Sequence, residues 1–133
     1  MSFSVKDAKV LYYAKKYRTD ELVQKIFTSY DDNEMEDSPK KEKIGRYSAA
    51  VAIRNIKRIN IKAVGTAYSK RTFEIVEKIK KAMNDDSLSG EEKRKKISKY
   101  CLAIALRRGA INVKKSWRKE YLWVSLEKWT MNT

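Results

Sequence analysis

Ser89-Gly90-Glu91-Glu92-Lys93-Arg94-Lys95-Lys96-Ile97, running on into Tyr100-Cys101-Leu102-Ala103-Ile104-Ala105-Leu106, carries the clearest local signal in the chain. Ser89 and Glu92 have the spacing of a capping box, in which the serine hydroxyl accepts from the third helical amide and the glutamate reaches back to the amide of the cap. The helix so opened passes through four consecutive bases into an apolar second half that reads as buried on most sides. Gly109, after Arg107-Arg108, supplies the residue without a Cβ that commonly ends a helix in a left-handed turn. Cys101 lies in the apolar run, where a lone cysteine behaves as a small buried hydrophobe.

Upstream, Lys43 to about Tyr68 contains no proline and keeps a helical apolar spacing, which predicts one helix of ~24 residues and ~36 Å. At ~100° per residue Ala49, Ala52, Ile53, Ile56, Ile59, Ala63 and Ala67 fall on one side as the core face. Lys43, Arg46, Arg54, Lys57, Arg58 and Lys62 fall opposite, with the small Ala50 and Gly65 among them. Tyr68 to Asn84 continues as a helix with Phe73, Val76, Ile79 and Met83 inward and Glu74–Lys78 and Glu77–Lys81 at i,i+4 spacing. A turn follows at Asn84-Asp85-Asp86-Ser87-Leu88. Nearer the N-terminus, residues 5 to 30 hold Val5, Ala8, Leu11, Tyr12, Leu22, Val23, Ile26 and Phe27, and Thr19 before Asp20-Glu21 looks like an N-cap that divides the segment into two short helices.

Asp31-Asp32-Asn33-Glu34-Met35-Glu36-Asp37-Ser38-Pro39 has five acids and no base, and it reads as an exposed loop closed by a proline that bars helix entry from upstream. Such a run is either a solvated loop or an internal mimic of nucleic acid. The last helix spans roughly Val113 to Trp129, with Val113, Trp117, Tyr121 and Val124 on one stripe and Leu122, Leu126 and Trp129 on another. No internal repeat of solenoid period and no sustained β alternation is evident. The expected fold is all-α: one domain over 1–133, a helical bundle with an N-terminal helical arm, in which 1–43 form the arm and acidic linker and 44–133 the helical core.

A chain of 133 residues is long enough to bury a core without disulfides or metals. Thirty-one Lys and Arg face 17 Asp and Glu, and a net charge of +14 on so small a body attracts polyanions and repels further copies. Without histidine, and with one cysteine, no metal site is expected, and without a GxxxxGK[ST] or GxGxxG string no phosphate-cradling loop is expected either. The acids lie in the linker, at helix starts and in i,i+4 pairs, each with a structural reason to be there. No enzymatic activity and no cofactor is therefore expected. The absence of an apolar span or a leader points to a cytoplasmic origin.

The location of the charge is more telling. Lys40, Lys41, Lys43, Arg46, Arg54, Lys57, Arg58 and Lys62 share their segment with one acid, Glu42. Lys93 to Lys119 holds eleven bases and no acid, among them Lys93, Arg94, Lys95 and Lys96 and, further on, Lys114, Lys115, Arg118 and Lys119. Salt-paired faces contain acids, so these segments read as a nucleic-acid-binding surface. The Arg and Lys face of the 43–68 helix offers no Asn or Gln at base-reading spacing, which predicts phosphate contacts without sequence preference. The eight tyrosines and three tryptophans are either core or stacking platforms for single strands. Trp117, Tyr121, Trp123 and Trp129 form a candidate protein interface or, in a second reading, a membrane-facing edge.

An all-helical chain of this length, with basic faces and the aromatic-basic start Tyr12-Tyr13-Ala14-Lys15-Lys16-Tyr17-Arg18, resembles the major coat proteins of archaeal filamentous viruses of the lipothrixvirus and rudivirus type. The resemblance is one of architecture. It implies a structural nucleoprotein that wraps linear double-stranded DNA, polymerises along it beside a second related coat protein, and resides in the virion, in some members under a membrane. A small RNA- or DNA-binding accessory or regulatory factor, acting as monomer or dimer in the cytoplasm, is the alternative.

Overall fold

The computed structural model describes residues 3–5, 7–56 and 61–113. Within them lie β1 (Phe3–Val5), α1 (Ala8–Lys16), α2 (Thr19–Tyr30), α3 (Asp37–Asn55), α4 (Ile61–Ser69), α5 (Thr72–Met83), α6 (Gly90–Arg107) and β2 (Ile111–Val113). The fold is an all-α bundle, tied at its termini by a two-stranded antiparallel ribbon in which Phe3 faces Val113 and Val5 faces Ile111. That ribbon was not expected, and it takes Val113 out of the C-terminal helix read from the sequence. The remainder of that helix, residues 114 to 129, lies outside the described residues.

The capping box at Ser89 is formed as read: Glu92 N–H donates to Ser89 Oγ at 3.1 Å and Ser89 N–H donates to Glu92 Oε1 at 3.1 Å. The far end of α6 closes in a Schellman turn, with Gly109 at φ 71, its N–H bonded to Leu106 O and that of Ala110 to Ala105 O. The division of the N-terminal segment also holds, but the cap is Arg18, with Thr19 as the first helical residue. Arg18 N–H is satisfied by Glu21 Oε1 at 2.9 Å.

Two expectations are corrected. Asp37 to Pro39 belong to α3, not to a loop, because a proline in the first helical turn lacks only an N–H that would have had no partner there. The single helix from Lys43 to Tyr68 is instead two, α3 ending at Asn55 with Ile56 extended (φ −128, ψ 126). Asn55 Nδ2 donates to both Thr19 Oγ1 and Val51 O at 2.8 Å, tying the last turn of α3 to α2. The Ile-rich sequence that follows gives little intrinsic help to a continuous helix.

The halves of the chain correspond. Thr19 at the start of α2 and Thr72 at the start of α5 are 53 residues apart, and at that offset α1, α2 and α3 match α4, α5 and α6 in order and, within one residue, in length. Across residues 8–54 and 61–107, 16 of 47 aligned positions are identical, including Arg18/Arg71, Thr19/Thr72, Glu21/Glu74, Ile26/Ile79, Ile44/Ile97 and Arg54/Arg107. Local bonds repeat as well. Arg71 N–H donates to Glu74 Oε1 as Arg18 does to Glu21, and Arg54 and Arg107 donate to Ala14 O and Ala67 O at 2.7 and 3.0 Å. A repeat is therefore present, longer than common solenoid units and too diverged to announce itself by composition.

Packing follows the same rule. α3 packs on α1 and α2 as α6 packs on α4 and α5, while α3 meets α6 and α2 meets α5. Ser48 lies beside Cys101, its own counterpart, and an element touching its own equivalent is the mark of a two-fold relation. One hydrophobic core runs through both halves: Val10, Ala14, Leu22, Val23 and Ile26 share it with Ala63, Ala67, Ile75, Val76 and Ile79. The helices expected as an arm are thus packed on the bundle, and the boundary at residue 43 falls within α3.

Candidate nucleic-acid interface

In the first half most of the bases have structural partners. Lys40 is 8 % exposed and its Nζ donates to Tyr30 O, at the C-terminal end of α2, at 3.1 Å. Lys41 Nζ lies 5.2 Å over the Phe73 ring. Arg46 is clamped between two carboxylates, Nε to Asp7 at 3.0 Å and Nη2 to Glu42 at 2.7 Å. Asp7 is held below its ordinary carboxyl range by the Lys9 backbone N–H, reinforced by Arg46 against the opposing effect of burial. Arg54 reaches back to Ala14 O and so caps the end of α1. Lys43 is exposed, whereas Lys57 and Arg58 lie outside the described residues.

Ala50 does not stand on an outer face. It is fully buried together with Ala49, Val51 and Ala52, because α3 has α1 and α2 on one side and α6 on the other. The helical wheel assumed a single core face where the bundle supplies two.

The second half is different. Lys93, Arg94, Lys95 and Lys96 occupy the first turns of α6, with Arg94 and Lys95 exposed and Lys93 and Lys96 half-buried. Lys95 reaches Glu91 at 3.5 Å, but both side chains are more than two-thirds exposed and such a pair holds little. Lys99, one turn further, is pushed down by burial and then by the neighbouring charges of Lys96 and Lys62. The fold therefore brings Lys62 of α4 to the Lys96–Lys99 edge of α6. Asp85 is held below its ordinary carboxyl range by the hydroxyl and the N–H of Ser87, with smaller help from Lys96 and Lys93. Lys99 does not stand out in the charge runs; its alignment with Arg46 is the signal that finds it.

Aligned by the repeat, the clamp in the first half has no acids in the second. Arg46 corresponds to Lys99, Glu42 to Lys95 and Asp7 to Asn60, while Lys9 and Lys43 are matched by Lys62 and Lys96. Asn60 is placed here by sequence alone. The first half neutralises Arg46 at short range, and the second has an asparagine and a lysine at the positions aligned with the two acids.

The aromatic-basic start folds as a cluster. Tyr13 packs 5.2 Å from Tyr47 and 6.1 Å from Tyr17, and Lys25 Nζ sits 4.4 Å over the Tyr17 ring. These rings form part of the wall between α1 and α3, with Tyr12 and Leu11 about half exposed beside them. Lys114, Lys115, Arg118, Lys119 and the candidate interface Trp117, Tyr121, Trp123 and Trp129 lie outside the described residues. Among the described residues no helix is long and apolar enough to cross a membrane, and no group of three or more Cys, Asp or Glu is arranged to hold a metal. No protein family, curated protein or solved structure matches this chain.

Proposed function

We propose that this protein binds the phosphate backbone of nucleic acid, double-stranded DNA foremost, without reading its bases, and that the second half of the repeat supplies the principal contact. The observation that carries it is the Asp7–Arg46–Glu42 clamp, whose aligned residues in the second half are Asn60, Lys99 and Lys95, with Lys96 acting on Lys99. Bringing like charges together costs folding free energy unless an opposite charge offsets it, and the loss of both clamp acids at the aligned positions fits a surface completed by phosphates. Lys donates as a point charge without a planar fork, which suits backbone positioning better than base recognition.

Two forms of this function differ in assembly. In the coat form implied by the resemblance, subunits pack side by side along duplex DNA in a virion, with a second related coat protein beside them. In the other, the chain acts as an accessory factor. The two-fold relation inside one chain favours the second, since the halves already cover each other's α3 and α6 faces as two subunits of a dimer would. Sedimentation on long duplex separates them: a coat polymerises along the DNA at a fixed small number of base pairs per subunit, whereas a factor stays as separately bound monomers or dimers.

Exchange of the acids tests the binding. Asn60→Asp with Lys95→Glu restores the first-half pattern in the second half and should weaken duplex binding by at least tenfold at low salt with no loss of thermal stability. Asp7→Asn with Glu42→Lys strips the first half and should strengthen binding. Affinity unchanged by both exchanges would sink the proposal.

A further inference from the structure

A cleft of about 340 Å³ opens between the start of α2, the end of α5 and the start of α6. Val23, Met83 and Ile97 line it, and Asp20, Lys93 and Arg94 stand around them. At the repeat offset, Asp20, Met83, Lys93 and Arg94 correspond to Phe73, Tyr30, Lys40 and Lys41. Those four residues are packed together where the start of α5 meets the end of α2 and the start of α3. The Phe73 ring lies 5.5 Å from that of Tyr30, with Lys40 Nζ 5.9 Å and Lys41 Nζ 5.2 Å from its centroid. The same framework of two helix starts and one helix end is thus present twice, once with an aromatic ring under two cations and once with a short acid where the ring would be.

We propose that the cleft beside Asp20 binds one nucleotide unit, its base taking the place that Phe73 takes at the equivalent site and its phosphate meeting Lys93 and Arg94. Three features support this occupant. The floor is apolar and includes a methionine, whose thioether packs well against ring edges. Two cations at the rim match a planar group bearing an anion, and a guanidinium can both stack on a base and bind a phosphate oxygen pair. The Asp20 carboxylate can accept from the exocyclic amino group of a base such as adenine, which Phe73 could not do. The proposal rests on the nucleic-acid function above and adds to it a site for an unpaired base, at a strand end or in a single strand, next to the duplex-binding edge at Lys96 and Lys99.

Adenosine 5′-monophosphate is the probe, titrated into the full chain and followed by methyl NMR at Met83, Val23 and Ile97. Saturable shifts at these methyls are expected, with adenosine alone and ribose 5-phosphate alone each binding at least tenfold more weakly. Asp20→Phe fills the cleft with the chain's own ring, and should abolish the shifts while leaving duplex affinity within about twofold of wild type. Asp20→Asn keeps the size, removes the charge that opposes phosphate, and should bind the nucleotide more tightly. The inference is overturned if wild type shows no shift at these methyls, or if Asp20→Phe, folded as judged by its thermal midpoint, still binds the nucleotide as wild type does. A chain that binds the nucleotide here but ignores duplex DNA would overturn the duplex function and leave this site standing.

Discussion

The two halves of this chain have the same helices, the same capping bonds and equivalent core positions, yet they treat their bases in opposite ways. In the first half Arg46 is held by Asp7 and Glu42, and Phe73 of α5 fills the space below Lys40 and Lys41. The residues aligned with those acids are Asn60 and Lys95, and the residue aligned with that ring is Asp20 of α2. Core and caps answer to folding, which both halves need alike. Surface charge answers to whatever lies outside, and at the positions of the Arg46 clamp it has diverged.

The largest expected effect falls where the halves are most alike. Ile26→Ala and Ile79→Ala truncate fully buried counterparts in one shared core, so each should cost about 2–5 kcal/mol of unfolding free energy. Urea unfolding should show a single transition in both variants; two separated transitions, or a large cost at one site with none at the other, would break the equivalence.

Smaller losses are expected at the paired arginines. Arg54→Ala and Arg107→Ala each remove a charged donor from a carbonyl at the C-terminal end of the first helix of a half, which is worth about 1 kcal/mol at these solvent-accessible positions. Matching drops in thermal midpoint would sharpen the comparison. Removal of Arg54 should act mainly on stability, because its guanidinium is already engaged with Ala14.

Much of this was legible in the sequence, and the rest was hidden for identifiable reasons. The all-α class, the Ser89 cap and the Gly109 stop depend on residues close together in the chain, and so they could be read directly. The break after Asn55 depends on the side-chain bonds of Asn55 to Thr19 and Val51, and the burial of Ala50 depends on helices packing on two sides of α3. Neither leaves a mark in periodicity. The charge runs located Lys93 to Lys96, but counting bases could not separate Arg46, with its two carboxylates, from Lys99, with none at the aligned positions. That distinction required the 53-residue register, which helix lengths reveal more readily than identities do.

The smallest expected effect is the acid-limb pH dependence that the Asp7–Arg46 contact gives the first half. Asp7 is held below its ordinary value of 3.8, so the stabilisation it gives is present above that value and disappears as pH falls through the lower folded value. Asp7→Asn should lower the thermal midpoint slightly at pH 7 and make the midpoint fall less between pH 5 and 3 than in wild type. A mutant whose acid limb parallels that of wild type would show that the clamp contributes nothing.

The most direct test of the division between halves is the salt dependence of duplex binding in two double variants with equal reduction of charge. Lys62→Gln with Lys96→Gln removes bases from the second half, and Lys9→Gln with Lys43→Gln removes their counterparts from the first. Every phosphate left without its cation should reduce the slope of log K against log salt by about 0.9. The second-half variant should fall in both slope and affinity, and the first-half variant should stay close to wild type in both. Equal reductions in the two variants, or a greater reduction in the first, would contradict the account.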